Sequence, residues 1–291
     1  MPEFTARLAA GMQRAREHLW LSLVPVLFAL LDSNKLLAVA TFDGGHIGFQ
    51  LGLPLSVVTV WQFVSVPNSG VAVNPGLPIE MLPVALLTAP VLLVAQAAAM
   101  AGYFGGLRDL LDGETSHFVG NVRAYFAPFL IAAAVPFLAV LPLAVGVFGV
   151  GALTDGLGGA VLLVVIPALL VFLAAAYLLY ATPYLIVLRD TGVLDAARGS
   201  YALAVTGGPY ASYAAGFALF VLVVSPFATA FVVNVPLVGL LIGIPVGGVL
   251  GLGANFATMR FVADIDPRSG VDRSWDSGAN ESSTSSPGAP E

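Results

Sequence analysis

From residue 199 to residue 259 the chain reads GSYALAVTGGPYASYAAGFALFVLVVSPFATAFVVNVPLVGLLIGIPVGGVLGLGANFATM, 61 residues without an Asp, Glu, Lys or Arg. A helix crosses about 30 Å of hydrocarbon with about 20 apolar residues, so this stretch is too long for one span and suits two. The turn between them reads Asn234-Val235-Pro236, because proline has no N–H with which to continue a helix. Two antiparallel spans are expected, at 210–233 and 237–259. Working outward, the uncharged gaps between Glu80 and Arg108, Arg123 and Asp155, and Asp155 and Arg189 hold 27, 31 and 33 residues. They predict spans at 82–104, 125–149 and 160–187.

Composition agrees with this reading. Of 291 residues, 58% are hydrophobic and 10% charged, and the mean hydropathy is +0.93; a soluble domain carries about 25% charge. The 11 Lys and Arg against 17 Asp and Glu leave a net charge of −6, and cysteine is absent. A disulfide scaffold, a thiolate metal site and a cysteine nucleophile are therefore excluded. The few cations are scattered and form no phosphate-neutralising patch, which argues against a nucleic-acid partner.

The first span has three readings. A single helix over 19–41 would pair Asp32 with Lys35 at i,i+3. Alternatively 19–31 is interfacial and the span runs from Ile47 to Val66, or Ala38-Val39-Ala40 marks a cleaved signal. The first is preferred, and the signal is discounted because 18 residues including Glu3 and Glu17 precede the apolar stretch. With the N-terminus in the cytoplasm, the positive-inside rule puts ten of the eleven cations on the cytoplasmic side and leaves Lys35 outside. The expectation is a multi-pass protein of the cell membrane with both termini cytoplasmic, an all-α polytopic bundle of about six transmembrane helices with short amphipathic cytoplasmic helices.

Residues 1–18 form the first of these amphipathic helices, and 19–262 the six-span membrane domain. Leu107-Arg108-Asp109 and Leu188-Arg189-Asp190 each follow a span, and each leads through a polar turn into a mixed helix, His117 to Ala124 or Val193 to Val205. Three units emerge, each a cytoplasmic helix followed by a two-span hairpin. The extracytoplasmic loop, about 42–80, holds the Val-, Leu- and Thr-rich stretch Leu53 to Val66 with Trp61 at the depth of an aromatic belt. It is expected to cap helix ends; a lid or re-entrant element is the other reading. Residues 263–291 are rich in Ser, Pro, Gly and acid and are expected to form a disordered cytoplasmic tail. There the glycosylation acceptor Asn280-Glu281-Ser282 would be silent.

Residues able to carry chemistry are few. His18, His46 and His117 are scattered, no nucleotide-binding or nucleophile-elbow motif occurs, and the five later spans lack Asp and Glu in their interiors. No catalytic, cofactor or metal site is expected, nor a proton- or ion-coupled pump. Thr88, Gln96, Ser225, Thr229 and Asn255 read as interhelical glue. One pattern stands out: Gly239, Gly243, Gly247 and Gly251 recur at i,i+4, with Asn255 next. This stripe winds by about 40° per step and lets another backbone approach, either within the chain or at a homo-oligomer seam or pore wall. Pro83, Pro90, Pro136, Pro142, Pro167, Pro226 and Pro245 fall within spans and can kink them.

The run Ala181-Thr182-Pro183-Tyr184-Leu185-Ile186-Val187, then Leu188-Arg189-Asp190, then Leu194-Asp195-Ala196-Ala197-Arg198-Gly199-Ser200 resembles six-span haloarchaeal membrane proteins of unknown function. More distantly, it is similar to the membrane domain of some glycerophosphodiester phosphodiesterases. The likeness covers about 180–262 and implies a fold and a compartment. No stretch here matches those enzymes' catalytic domain, so no catalytic residue carries over. The acidic, lysine-poor composition fits a haloarchaeal source, although an Arg-for-Lys bias also follows from a GC-rich genome. Two functions compete: a non-catalytic scaffold or partner of other membrane proteins, and an uncoupled permease or efflux protein for a small or lipid-like solute. A solid core would favour the first; a cavity lined by Gln96, Ser225, Thr229 or Asn255 the second.

Overall fold

The computed structural model describes residues 4–67, 82–153, 158–235 and 237–269. Among them all regular structure is helical: α1 (Phe4–Glu17), α2 (Leu23–Leu31), α3 (Ser33–Ala40), α4 (Leu82–Leu111), α5 (Phe118–Leu153), α6 (Gly158–Leu179), α7 (Thr182–Leu188), α8 (Val193–Thr206), α9 (Pro209–Asn234) and α10 (Val238–Ile265). Four of these (α4, α5, α9 and α10) and the α6–α7 run are long and apolar enough to cross a membrane. Together, α2 and α3 make a sixth such unit, bent by 72° where they meet. The chain is a multi-pass helical bundle. The tail beyond 269 and residues 68–81 of the outer loop lie outside the described residues.

Three expected elements are corrected. The single helix over 19–41 breaks at Asp32, whose ψ of 71° leaves the helical region. The Asp32 carboxylate accepts the Lys35 backbone N–H at 3.3 Å and pairs with Lys35 Nζ at 2.8 Å. The expected ion pair forms, but as the N-cap of a new helix. Nor is residues 47–66 a helical span: apart from one 3-10 turn, Val60–Gln62, the segment is irregular. Finally, His117 to Ala124 is no separate helix. From Phe118 it forms the first turns of the 36-residue α5.

The expected span 160–187 is interrupted after Leu179 and resumes as α7, with Pro183 in the first turn of α7. Proline is tolerated there because that N–H has no intrahelical partner. Every residue of α7 from Pro183 to Leu188 is buried, so this short helix is a core element.

Among the described residues, arginines gather at one end of the bundle, where they join α1 to the ends of α4 and α10. Helix α1, expected as a surface helix, buries Arg7, Gly11 and Ala15 against α10. Gly11 lies on the Gly253 carbonyl and the Ala257 backbone, too close for a side chain there. Arg7 pairs with Asp264, whose other oxygen takes Arg260 Nε at 3.0 Å. Arg14 donates to the Leu110 carbonyl at the end of α4, 2.6 Å away. Arg189 grips Asp266 with two bonds of 2.7 and 2.8 Å. Bidentate, partly buried pairs of this kind fix geometry more than they add stability. Enclosed by α1, α4, α7 and α9, α10 is buried on every side from Leu252 to Ala263, with Asn255, Thr258 and Arg260 among the buried side chains.

Candidate functional site

Backbone polar groups have no water to bond in hydrocarbon, so irregular chain at membrane depth must be satisfied by protein. Residues 46–66 meet this requirement through the polar side chains of α9 and α10. Asn234, the last residue of α9, clamps His46: its Oδ1 accepts the His46 N–H at 2.7 Å and its Nδ2 donates to the His46 carbonyl at 2.9 Å. Deeper along α9, Ser225 Oγ accepts the Gln50 N–H and Thr229 Oγ1 accepts the Ser65 N–H, each at 2.9 Å. The segment enters beside the end of α9, runs inward, turns and comes back.

Its two arms are tied by side chains in place of a backbone ladder. Gln50 Nε2 donates to the Val64 carbonyl at 3.0 Å, and Gln62 Nε2 to the Leu53 carbonyl at 3.2 Å. The tip rests on Asn255, whose Oδ1 accepts the Val58 N–H and whose Nδ2 donates to the Ser56 carbonyl, both at 2.9 Å. That Oδ1 also accepts from Tyr103 Oη of α4 at 3.0 Å, and Nδ2 donates to Tyr184 Oη of α7 at 2.7 Å. Two donors and two lone pairs are all that an amide side chain has. Asn255 is therefore saturated, and joins the hairpin to three helices.

The glycine stripe makes room for this arrangement. Side-chain atoms at Gly239 would fall 2.6 Å from the Phe231 and Val232 carbonyls of α9, and at Gly243 2.5 Å from a Val232 methyl. At Gly247 they would fall 2.5 Å from Val60 Cβ, and at Gly251 directly on the Val58 carbonyl. The first half of the stripe thus seats α9, and the second half together with Asn255 seats the hairpin. Gly251 lies about halfway along the 28-residue α10, roughly 20 Å from the Val238 end at 1.5 Å per residue. The segment read as a cap over helix ends is therefore a re-entrant hairpin that reaches the middle of the bundle.

Trp61, expected in an aromatic belt, is instead buried at 6% exposure and donates Nε1–H to the Ala29 carbonyl of α2 at 2.9 Å. The polar residues within the spans divide into two groups. Ser225, Thr229 and Asn255 are 0% exposed and hold the hairpin, whereas Thr88 and Gln96 sit exposed on α4. Sequence reasoning missed Asn234 as a site residue, having read it only as part of a turn. Beside the hairpin runs a groove of about 310 Å³ between α9 and α10, lined by apolar residues such as Val60, Val223, Phe227, Ile242 and Leu250. No protein-family model matches the chain, and no significant match exists among curated proteins or solved structures.

Proposed function

We propose that the protein is a non-catalytic membrane scaffold that holds or partners other membrane proteins or a second copy of itself. One observation carries the reading: the buried polar side chains that could line a solute path, Ser225, Thr229 and Asn255, are spent on the chain's own hairpin. A permeation path needs polar groups that can exchange partners with a solute, and here that exchange would first have to strip the hairpin backbone. The positive-inside rule supports placing the arginine-rich end, with both termini, in the cytoplasm, and the bundle in the cell membrane.

A second reading, a permease for a lipid-like solute, draws support from the apolar groove between α9 and α10, beside Pro226 and Pro245 in their helices. Vesicle reconstitution separates the two. Efflux of a small trapped dye and flip of a fluorescent phospholipid are both expected at the rates of protein-free vesicles. A tenfold faster lipid flip, abolished by filling the groove with Ala228→Phe, would replace the scaffold reading with the second.

A further inference from the structure

At the arginine-rich end, a second cavity opens between the α7–α8 turn, α8 and the chain just past α10. It measures about 460 Å³ and is lined by Arg189, Thr191, Asp195, Arg198 and Arg268, with Gly199 and Ala202 as its small-residue wall. Three arginines thus line the cavity with one carboxylate, Asp195, while a second, Asp266, holds Arg189 from behind the wall. Arg189 is held rigidly, because its fork is occupied by Asp266, which is itself fully buried. Gly199 leaves space for the Arg189 guanidinium, whose central carbon would lie 2.9 Å from any Cβ there. Arg198 pairs with Asp195 at 3.1 Å, but the two side chains are 77% and 69% exposed, and an exposed pair holds its partners weakly. No described side chain pairs with the guanidinium of Arg268; its backbone N–H bonds Asp266. Asp190 is exposed on the adjoining turn and forms no part of the wall.

The helix that bears Arg198 has a second property. Leu194, Tyr201 and Val205 are 72%, 53% and 58% exposed, and with Arg198 they follow the i, i+4, i+7, i+11 spacing of one helix face. An apolar face broken by one arginine is the pattern of a helix lying in a bilayer interface, with its cation reaching to the headgroups. The stripe and the cavity share Arg198, so a molecule with acyl chains against the stripe would bring its headgroup to the three arginines.

We propose that this cavity binds the phosphate of an anionic phospholipid headgroup, with Arg198 and Arg268 as movable ligands and Arg189 as the fixed one. Charge complementarity selects the ligand: with Asp266 set against Arg189 and Asp195 against Arg198, Arg268 leaves one net positive charge at the cavity, which suits the single negative charge of a phosphodiester. The test uses the full chain purified in a neutral detergent, with short-chain phosphatidylglycerol, phosphatidylcholine and inorganic phosphate as probes. Phosphatidylglycerol is expected to bind at least tenfold more tightly than phosphatidylcholine. The double variant Arg198→Gln/Arg268→Gln should lose at least tenfold of that affinity, and Arg16→Gln, an exposed arginine on α1, should keep it. Unchanged affinity in the double variant would overturn the proposal. So would displacement of the lipid by inorganic phosphate at equal concentration, which would mark a site for a free anion. Should the double variant unfold, the wild-type preference among the three probes decides, and equal binding of the two lipids refutes the assignment.

Discussion

Asn255→Leu is expected to lower the unfolding free energy in detergent by about 3 kcal/mol, read from thermal unfolding of the helical circular dichroism signal. Four hydrogen bonds end on this one side chain. Interhelical bonds in membrane proteins average about 0.6 kcal/mol each, which gives most of that figure. The remainder comes from the Val58 N–H and Ser56 carbonyl, because a buried polar group left without a partner costs more than a bond is worth. Gln96→Leu, at an exposed position of α4, should change stability by less than about 0.5 kcal/mol. Equal effects at the two positions would remove Asn255 from the centre of the structure.

The second large effect is expected at Gly251. A leucine there would collide with the Val58 carbonyl, and neither backbone can retreat while both are held from other sides. The hairpin tip must lift, breaking the two bonds that Asn255 makes to it one turn away. Overpacking typically costs about 1–3 kcal/mol, and the two lost bonds raise the total to about 2–4 kcal/mol by the same membrane average. Because Gly251 and Asn255 act on one tip, their effects should not add. The specific readout is maleimide labelling of Val58→Cys, a position 2% exposed in a chain with no native cysteine. Labelling should be at least tenfold faster in the Gly251→Leu background. Gly239→Leu, which meets α9 and not the hairpin, should leave the rate unchanged. Equal labelling in the Gly251→Leu and wild-type backgrounds would mean that the tip does not rest on the stripe.

Much of the bundle is legible from charge alone, because ionised side chains are costly in hydrocarbon and their gaps mark the helices. Asp32 shows where that rule stops. Its i,i+3 relation to Lys35 fits one continuous helix and an N-cap equally well, and only the backbone angles distinguish them. The stripe from Gly239 to Asn255 could be read as a surface for close approach. What approaches its second half, Gly247 to Asn255, was not readable, since that partner is extended chain about 190 residues earlier with no helical period. The cue was nonetheless present: Ser225, Thr229 and Asn234 lie on α9 at roughly one-turn intervals, and buried hydroxyl and amide groups need partners. Residues 46–66, with Gly48, Gly52 and Pro54 and a Val- and Leu-rich body, suit an exposed cap and a buried hairpin alike. Similarly, Gly11 and Ala15 in α1 form a small-x-x-x-small pair of the kind that lets another helix approach, in a stretch expected only as an amphipathic cytoplasmic helix. Arg7 and Arg14 are instead bonded at the ends of α10 and α4.

The most direct test of the hairpin's position is disulfide formation in native membranes between cysteines at Val60 and Gly247. A Cβ at 247 would lie 2.5 Å from Val60 Cβ, so a separation of about 1 Å brings the pair into the usual 3.5–4.5 Å range. Val232→Cys with Gly243→Cys, 3.6 Å apart by the same measure, serves as the reference across α9 and α10. Under mild oxidation both pairs should close within one chain, while Val60→Cys with Leu241→Cys, at an exposed position of α10, should stay reduced. Closure of the reference pair without closure of the 60–247 pair would place residues 46–66 outside the bundle and contradict the re-entrant hairpin.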